Sequence, residues 1–388
     1  MSLDHYFLLG KSGLRVSRLA LGTMTFGDGG IRGIAGSWGS NKETSRAIFG
    51  RYIEAGGNFI DTADSYAAGL SETLVGEFVA EMGIRDHVVI ATKFSNSLSP
   101  GNPNAGGNGR KNILRAVDAS LRRLRTEYID LYLLHTWDRM TPAEEVMRTL
   151  DDLVRAGKIR YCGLSDVPGW YAARAQTWAE AHALTQPIAL QLPYSLVERS
   201  IEPEFVPLAA TLGLGITAWS PLAMGLLSGK YQPAAMAEGR LSLDPSKGGL
   251  GLFTERNTRI VAALERVATA LGRSMAQVAL NWCVNQPGIA AAIVGASRLS
   301  QLEDNLAALD VSIPPDLAEE LEIASRIDPP YPYSLFAADY QAGILNPGTT
   351  VGDKPASYHR PLLLKKVTDY AFGQPKDGKA SPGDTPHS

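Results

Sequence analysis

The sequence predicts an α/β protein, a closed (β/α)8 TIM barrel with long active-site loops and a C-terminal extension, on three observations. Short apolar strands alternate with helix-length amphipathic segments. Eight such strand–helix units fit into about 300 residues, the length of one barrel. A doubly wound sheet would normally pair an early glycine-rich turn with a change in strand order, and the strand–helix rhythm of this chain fits the closed barrel better.

The elements follow in order. Leu19 to Met24 reads as the first barrel strand, and Glu43 to Ala55 as the helix after it, with Ile48, Tyr52 and Ile53 on one face. Further strands are expected at Phe59 to Ala63, Val88 to Phe94, Ile129 to His135, Ile159 to Ser165, Ile188 to Tyr194, Gly215 to Ser220 and Ala291 to Ala296. Thr141-Pro142-Ala143-Glu144 reads as a capping box with proline at the first helical position. Val146, Met147, Leu150, Leu153 and Val154 would form that helix's buried stripe, and Gly157 its end. Ser274-Met275-Ala276-Gln277 opens another helix in the same way. Three segments exceed a bare barrel: a loop from Gly27 to Ser40, an insertion from Leu222 to Phe253, and a tail after Ile327. The expected division is a barrel over residues 1–327 and an extension over 328–388 lying partly over it, whose last dozen residues read as disordered. Trp38, Tyr331, Tyr333 and Phe336 are expected to contribute to the substrate pocket, the alternative being a tail that packs on the outside of the barrel or mediates assembly.

Composition narrows the classes. Hydrophobic content of 45%, charged content of 20% and a net charge of -3 describe an ordinary globular chain without the basic field that nucleic acid needs. No run approaches the ~18 apolar residues of a membrane span, and no signal segment is read at the N-terminus. Cys162 and Cys283, on a predicted strand and a predicted helix, read as reduced core residues, so the expected home is the cytoplasm. The sequence leaves the oligomeric state open.

Three successive strands end in ionisable groups. Asp61 closes the second strand with Tyr66 five residues later, Lys93 stands at the end of the third, and His135 ends the fourth. Singly, these read as a turn carboxylate, a packing phenol, a solvated ammonium and a bonded core histidine. Jointly they point to one site, because parallel strands bring their carboxyl ends to one rim. Such a set suits proton donation to a carbonyl oxygen while a hydride reaches its carbon. A phenol of pKa ~10 needs a cation beside it to act as the acid, so Tyr66 would be the donor, Lys93 its tuning charge, and Asp61 the anchor of that lysine. Neutral His135 would orient the substrate oxygen. No side chain donates hydride, so a nicotinamide or flavin cofactor is required. Gly295-Ala296-Ser297-Arg298, between the last strand and a helix with Leu299, Leu302, Leu306 and Leu309 on its inner face, offers N–H groups, a hydroxyl and a guanidinium to a phosphate.

These motifs resemble the aldo-keto reductase family over residues 8 to 327. Asp61-Thr62-Ala63 with Tyr66, then Gly69, Ser71, Glu72 and Gly76, is similar to its first signature, and Leu124 to His135 to its second. Gly295-Ala296-Ser297 with Gln301, Asp304 and Asn305 is similar to its adenosine-phosphate signature, in the version of bacterial members and potassium-channel β-subunit-like proteins. The resemblance implies NADPH or NADP+ rather than NADH, bound by Thr23, Asp61, Ser165, Asp166, Gln191, Trp219, Ser220, Leu222, Gly225, Leu227, Lys230, Arg240, Gly295, Ser297, Arg298, Gln301, Asp304 and Asn305. Within that set Trp219 would stack on nicotinamide, Gln191 and Ser165 would lie near its carboxamide, and Arg298 would read the 2′-phosphate. Ser165-Asp166 departs from the family's usual Ser-Asn, and an ionised Asp166 can only accept hydrogen bonds.

Two function classes stay open beside each other. One is an NADP-dependent reductase or alcohol dehydrogenase for a small carbonyl or sugar-like substrate. The other is a slow-turnover nucleotide sensor resembling channel β-subunits. A metal-dependent hydrolase would need His/Asp/Glu clusters that the sequence does not offer.

Overall fold

The computed structural model describes residues 3–27, 39–232, 235–236, 251–336, 338–345 and 347–349. Trp38, Arg240 and the segment 377–388 therefore lie outside the described residues. Two units are distinguished, Met1–Asp328 and Pro329–Ser388.

The first unit is a closed parallel barrel. A hairpin of β1 (Tyr6–Leu8) and β2 (Arg15–Ser17) precedes it. The barrel strands are β3 (Leu19–Gly22), β4 (Phe59–Asp61), β5 (Val89–Phe94), β6 (Ile129–Leu134), β7 (Ile159–Ser165), β8 (Ala189–Pro193) and β9 (Gly215–Trp219). A two-residue ribbon of β10 (Tyr231–Gln232) and β11 (Ala235–Met236) intervenes before β12 (Ile289–Gly295), which closes the ring against β3 and β9. All eight expected strands form, β7 over the expected residues and the others with ends that differ by a residue or two.

Alternation along the strands separates two apolar layers. Ala20, Phe59, Val89, Ala91, Leu131, Leu133, Ala189 and Ala291 fill the barrel interior, where Leu9 and Val16 of the hairpin join them. Leu21, Ile60, Ile90, Tyr132, Leu134 and Leu164 face outward, into the layer shared with the helices. Gly10, at φ +58°, makes the hairpin's close approach possible: a Cβ there would stand 2.5 Å from the Ile188 carbonyl oxygen.

Helices α1 (Lys42–Glu54), α2 (Leu70–Met82), α3 (Arg110–Leu124), α4 (Ala143–Arg155), α5 (Gly169–Ala181) and α6 (Phe205–Leu212) alternate with the strands, and Glu255–Leu271 and Met275–Val284 precede β12. Leu299–Leu306 and Pro315–Ser325 end the unit. Ser274 and Gln277 form the expected capping box. Thr141 does not: α4 is capped by Pro142 without a side-chain bond, and the Thr141 hydroxyl donates to Asp138 Oδ2 at 2.6 Å. A nearby carboxylate is the stronger acceptor, and it outcompetes the local motif. Leu299 is also not on an inner face; it is exposed at the first turn, while Leu302 and Leu306 are buried.

Among the described residues no helix is long and apolar enough to cross a membrane, and no group of His, Cys, Asp and Glu could hold a metal ion. Cys162 and Cys283 are both free and buried. In the second unit the described residues form a short turn at Tyr333–Phe336 and a helix at Ala338–Leu345.

Candidate active site

Parallel strands deliver their last residues to one rim, and the register sets who meets whom. Ala91 pairs with Asp61 and with Leu131, so Lys93, two residues on, rises above Asp61 on the inner side. Its Nζ donates to Asp61 Oδ1 at 2.7 Å, to the Thr62 carbonyl at 2.8 Å and to Tyr66 Oη at 3.2 Å. Lys93 is fully buried and Asp61 nearly so. Burial alone would lower the pKa of the ammonium, but the Asp61 charge and the hydrogen bonds to Asp61 and Tyr66 outweigh it and hold the pKa above the usual lysine range.

His135 continues the ladder past β6, its N–H donating to the Phe94 carbonyl at 3.0 Å. Its ring meets Tyr66 edge-on, centroids 6.0 Å apart. Burial and then the Lys93 charge push its pKa down to about 3, so the imidazole is neutral through the physiological range. Asn96 was not anticipated from the sequence. Its Nδ2 donates to Ser65 Oγ at 3.0 Å and lies 3.2 Å from His135 Nδ1. An amide nitrogen can only donate, so Nδ1 is the acceptor and the imidazole proton sits on Nε2. The only sequence signal was position, since Asn96 follows Lys93 by three residues and carries no charge.

Gln191 joins this group from β8, with Nε2 donating to Asp61 Oδ2 at 2.9 Å, and Ser165 ends β7 beside it, in register with Gln191 and buried. Asp166 instead lies exposed on the rim, at φ +47°, where Oδ1 accepts the Trp219 indole N–H at 3.0 Å. That bond fixes the half-buried Trp219 ring by its edge. Thr23 is buried beneath, bonded to the Asp61 carbonyl and Ser71.

After β9 the chain turns tightly. Ser220 Oγ accepts Met224 N–H, and the amides of Gly225 and Leu227 donate to the Leu222 carbonyl, with the Leu227 side chain in the core. Gly225, at φ +94°, leaves room for Lys230 to lie across it, since a Cβ would stand 2.7 Å from Lys230 Cε. Across the rim Gly295 ends β12, and Gln301 Oε1 accepts both the N–H and the hydroxyl of Ser297. Asp304 is held by Ser274 and Gln277, and Asn305 is buried. Arg298 and Lys230 are exposed, and among the described residues neither pairs with a carboxylate. An edge-locked indole, a buried amide and two cations without a carboxylate partner among the described residues lie on one rim, a donor set that fits a nicotinamide dinucleotide.

Eight of the ten non-glycine residues with positive φ among those described lie in loops on this face: Ala67, Ala68, Ser95, Arg139, Asp166, Ser220, Ala223 and Met224. Such strain persists where surrounding contacts over-determine it, as at binding sites.

The sequence profile of the aldo/keto reductase family matches residues 18–326. The chain belongs to the aldo/keto reductase family. Its relatives include the uncharacterized oxidoreductase YrpG of Bacillus subtilis, 36% identical over 326 residues covering 81% of this chain and 94% of that protein. Norsolorinic acid reductase stcV of Emericella nidulans is 35% identical over 87% of this chain and 86% of its own. A probable voltage-gated potassium channel subunit beta of Oryza sativa subsp. japonica is 35% identical over 84% of this chain and 97% of its own. Membership in the aldo/keto reductase family makes the chain an oxidoreductase of small carbonyl compounds, in a family that works with nicotinamide cofactors.

Proposed function

We propose that the chain is an NADP(H)-dependent reductase that converts an aldehyde or ketone to an alcohol, or the reverse, with Tyr66 as proton donor. The observation that carries this reading is the position of Lys93 Nζ, bonded at once to Asp61 and to Tyr66 Oη. A buried ammonium on a phenol oxygen favours phenolate, which makes the phenol a competent acid. A nicotinamide held by these residues would supply the hydride. As charge develops on the carbonyl oxygen, Tyr66 Oη delivers its proton there and His135 Nε2–H donates a hydrogen bond to the same oxygen. Lys93 holds the phenolate that remains, and Asp61 holds Lys93. The phenolate is reprotonated from solvent.

Trp219, Gln191 and Ser165 would hold the nicotinamide, Ser220, Gly225 and Lys230 the pyrophosphate, and Gly295, Ser297 and Arg298 the adenosine phosphate. Arg298, exposed and without a carboxylate partner among the described residues, is the group suited to a 2′-phosphate, which favours NADPH over NADH. The similarity to the rice channel subunit supports a second reading, a nucleotide sensor of slow turnover. The test for both is NADPH oxidation with a panel of aldehydes, ketones and sugars. Turnover above about 0.1 per second is expected of the reductase, and tight NADPH binding without it would favour the sensor.

A further inference from the structure

A second buried charge cluster lies behind the site, on the helix side of the barrel wall. Thr92 points outward from β5, opposite in sense to Lys93, and its hydroxyl donates to Glu72 Oε1 at 2.6 Å. Arg123 Nε donates to Glu72 Oε2 at 2.6 Å, so the fully buried Glu72 is an ion-paired carboxylate. Asp64 stands beside this pair and is 3% exposed, yet its Oδ1 is buried without a hydrogen-bond partner. The Tyr132 hydroxyl, from β6, is also buried without one. The groups facing Asp64 are Glu72 from α2, Arg123 and Arg115 from α3, and Tyr132 from β6, which also feels Asp118 of α3. Neither arginine is bonded to Asp64: Arg123 serves Glu72 and Ser120, and Arg115 serves the Ala105 carbonyl and Asn112. A charged Asp64 would therefore be a second carboxylate beside Glu72, sealed from water and without a bonded counter-ion. Burial first, and then the Glu72 charge, push its carboxyl up to about 8.

Asp64 also belongs to the turn that presents the phenol. Its N–H donates to the Lys93 carbonyl at 3.2 Å, and the Tyr66 N–H donates to the Ala63 carbonyl at 3.2 Å. The turn thus carries Tyr66 toward the mouth and Asp64 toward the helix layer.

We propose that Asp64 works as an uncharged carboxylic acid, a positioning residue whose proton keeps the turn from Ala63 to Tyr66 seated on β5 and so keeps Tyr66 against Lys93. Loss of that proton creates a buried carboxylate next to Glu72, and the turn relieves it by lifting toward water. Tyr66 then leaves Lys93 and reduction stops. For its effect on turnover this rests on the reading of Tyr66 as proton donor; for the protonation of Asp64 it does not.

The test uses the full chain and Asp64→Asn, which keeps the shape and cannot ionise. The first readout is urea unfolding as a function of pH. A carboxyl whose folded pKa is raised binds its proton in the native state, so native stability falls as pH rises from about 4, the unfolded value, through about 8. The wild type should lose stability relative to Asp64→Asn across that window; a difference independent of pH overturns the proposal. The second is NMR of protein labelled with 13Cζ-tyrosine, the Tyr66 signal assigned by its absence in Tyr66→Phe. That signal should shift with a midpoint near pH 8 in the wild type and not in Asp64→Asn. A Tyr66 signal blind to Asp64 overturns the positioning role, whether or not a substrate has been found. The third is kcat/KM for carbonyl reduction, which should fall about fivefold between pH 8 and pH 9 in the wild type and stay level in Asp64→Asn. If the amide variant does not fold, Glu72→Gln serves: removing the neighbouring charge should move the Tyr66 midpoint to lower pH, and an unmoved midpoint rejects the coupling. Failure to reduce any carbonyl, with the stability and NMR shifts present, would reject the proposed reaction and leave the Asp64 inference standing.

Discussion

Replacing Tyr66 by Phe removes one oxygen and nothing else from the barrel mouth. Lys93 Nζ would lose the 3.2 Å bond to Tyr66 Oη and keep Asp61 Oδ1 at 2.7 Å and the Thr62 carbonyl at 2.8 Å. The net stability change should be on the order of 1 kcal/mol, the worth of one hydrogen bond whose donor keeps other partners. Loss of the general acid should lower reduction by ~10²–10⁴, which at about 1.36 kcal/mol per decade is ~2.7–5.4 kcal/mol of transition-state stabilisation. The two effects therefore separate by at least a factor of about two in free energy, enough to assign the rate loss to chemistry. The assay is NADPH oxidation at saturating carbonyl, beside NADPH binding followed by nicotinamide fluorescence. Near-normal turnover with intact binding would refute the mechanism and leave the four side chains a structural role.

Further variants test the surrounding groups. Lys93→Met leaves Asp61 buried with only Gln191 Nε2 as donor, so it should cost ~3–5 kcal/mol in urea unfolding, and adding Asp61→Asn should recover part of that loss. An additive double variant would show that the pair is not coupled. Arg298→Ala should weaken NADPH by roughly ten- to a hundredfold and spare NADH, the worth of a charge-assisted contact; equal losses would move the 2′-phosphate contact to another cation such as Lys230. Asn96→Asp places an acceptor on His135 Nδ1 and draws the imidazole proton from Nε2, so kcat should fall by about tenfold or more while NADPH affinity holds. An unchanged kcat would remove His135 Nε2–H from the reaction.

The barrel was legible because its strands are short apolar runs buried on both faces, and local capping was legible at Ser274, where no competitor lies near. Thr141 misled because its competitor, Asp138, accepts from Met140 and Thr141 backbone N–H groups as well, in a turn that a four-residue motif does not contain. Asp61, Tyr66, Lys93 and His135 stood out as ionisable groups at successive strand ends, and the structure brings them together. Asn96 carries no charge and was passed over. Glu72 and Gly76 drew attention only through family resemblance; their physical role depends on contacts between helices. A Cβ at Gly76 would stand 2.5 Å from the Leu124 carbonyl carbon, so α2 and α3 approach closely there, and that approach brings Arg123 to Glu72. Such pairings join residues 51 positions apart, beyond the reach of periodicity.

β5 binds a carboxylate on each face, Asp61 through Lys93 inside the barrel and Glu72 through Thr92 outside it. Burying either acid without its partner would cost several kcal/mol, so the two contacts do more than stabilise. A slip of one residue in β5 would send Lys93 into the helix layer and Thr92 into the barrel, stranding Asp61 without a cation inside. Apolar packing opposes that slip only weakly, because β5 is buried on both faces, and the charges add a penalty that packing cannot supply, because a misplaced leucine loses contacts whereas a misplaced ammonium loses its counter-ion. Register at β5 is therefore set by the same groups that place an ammonium on the phenol. Reactive geometry and strand register share one determinant, so a variant that relaxes the first should also loosen the second.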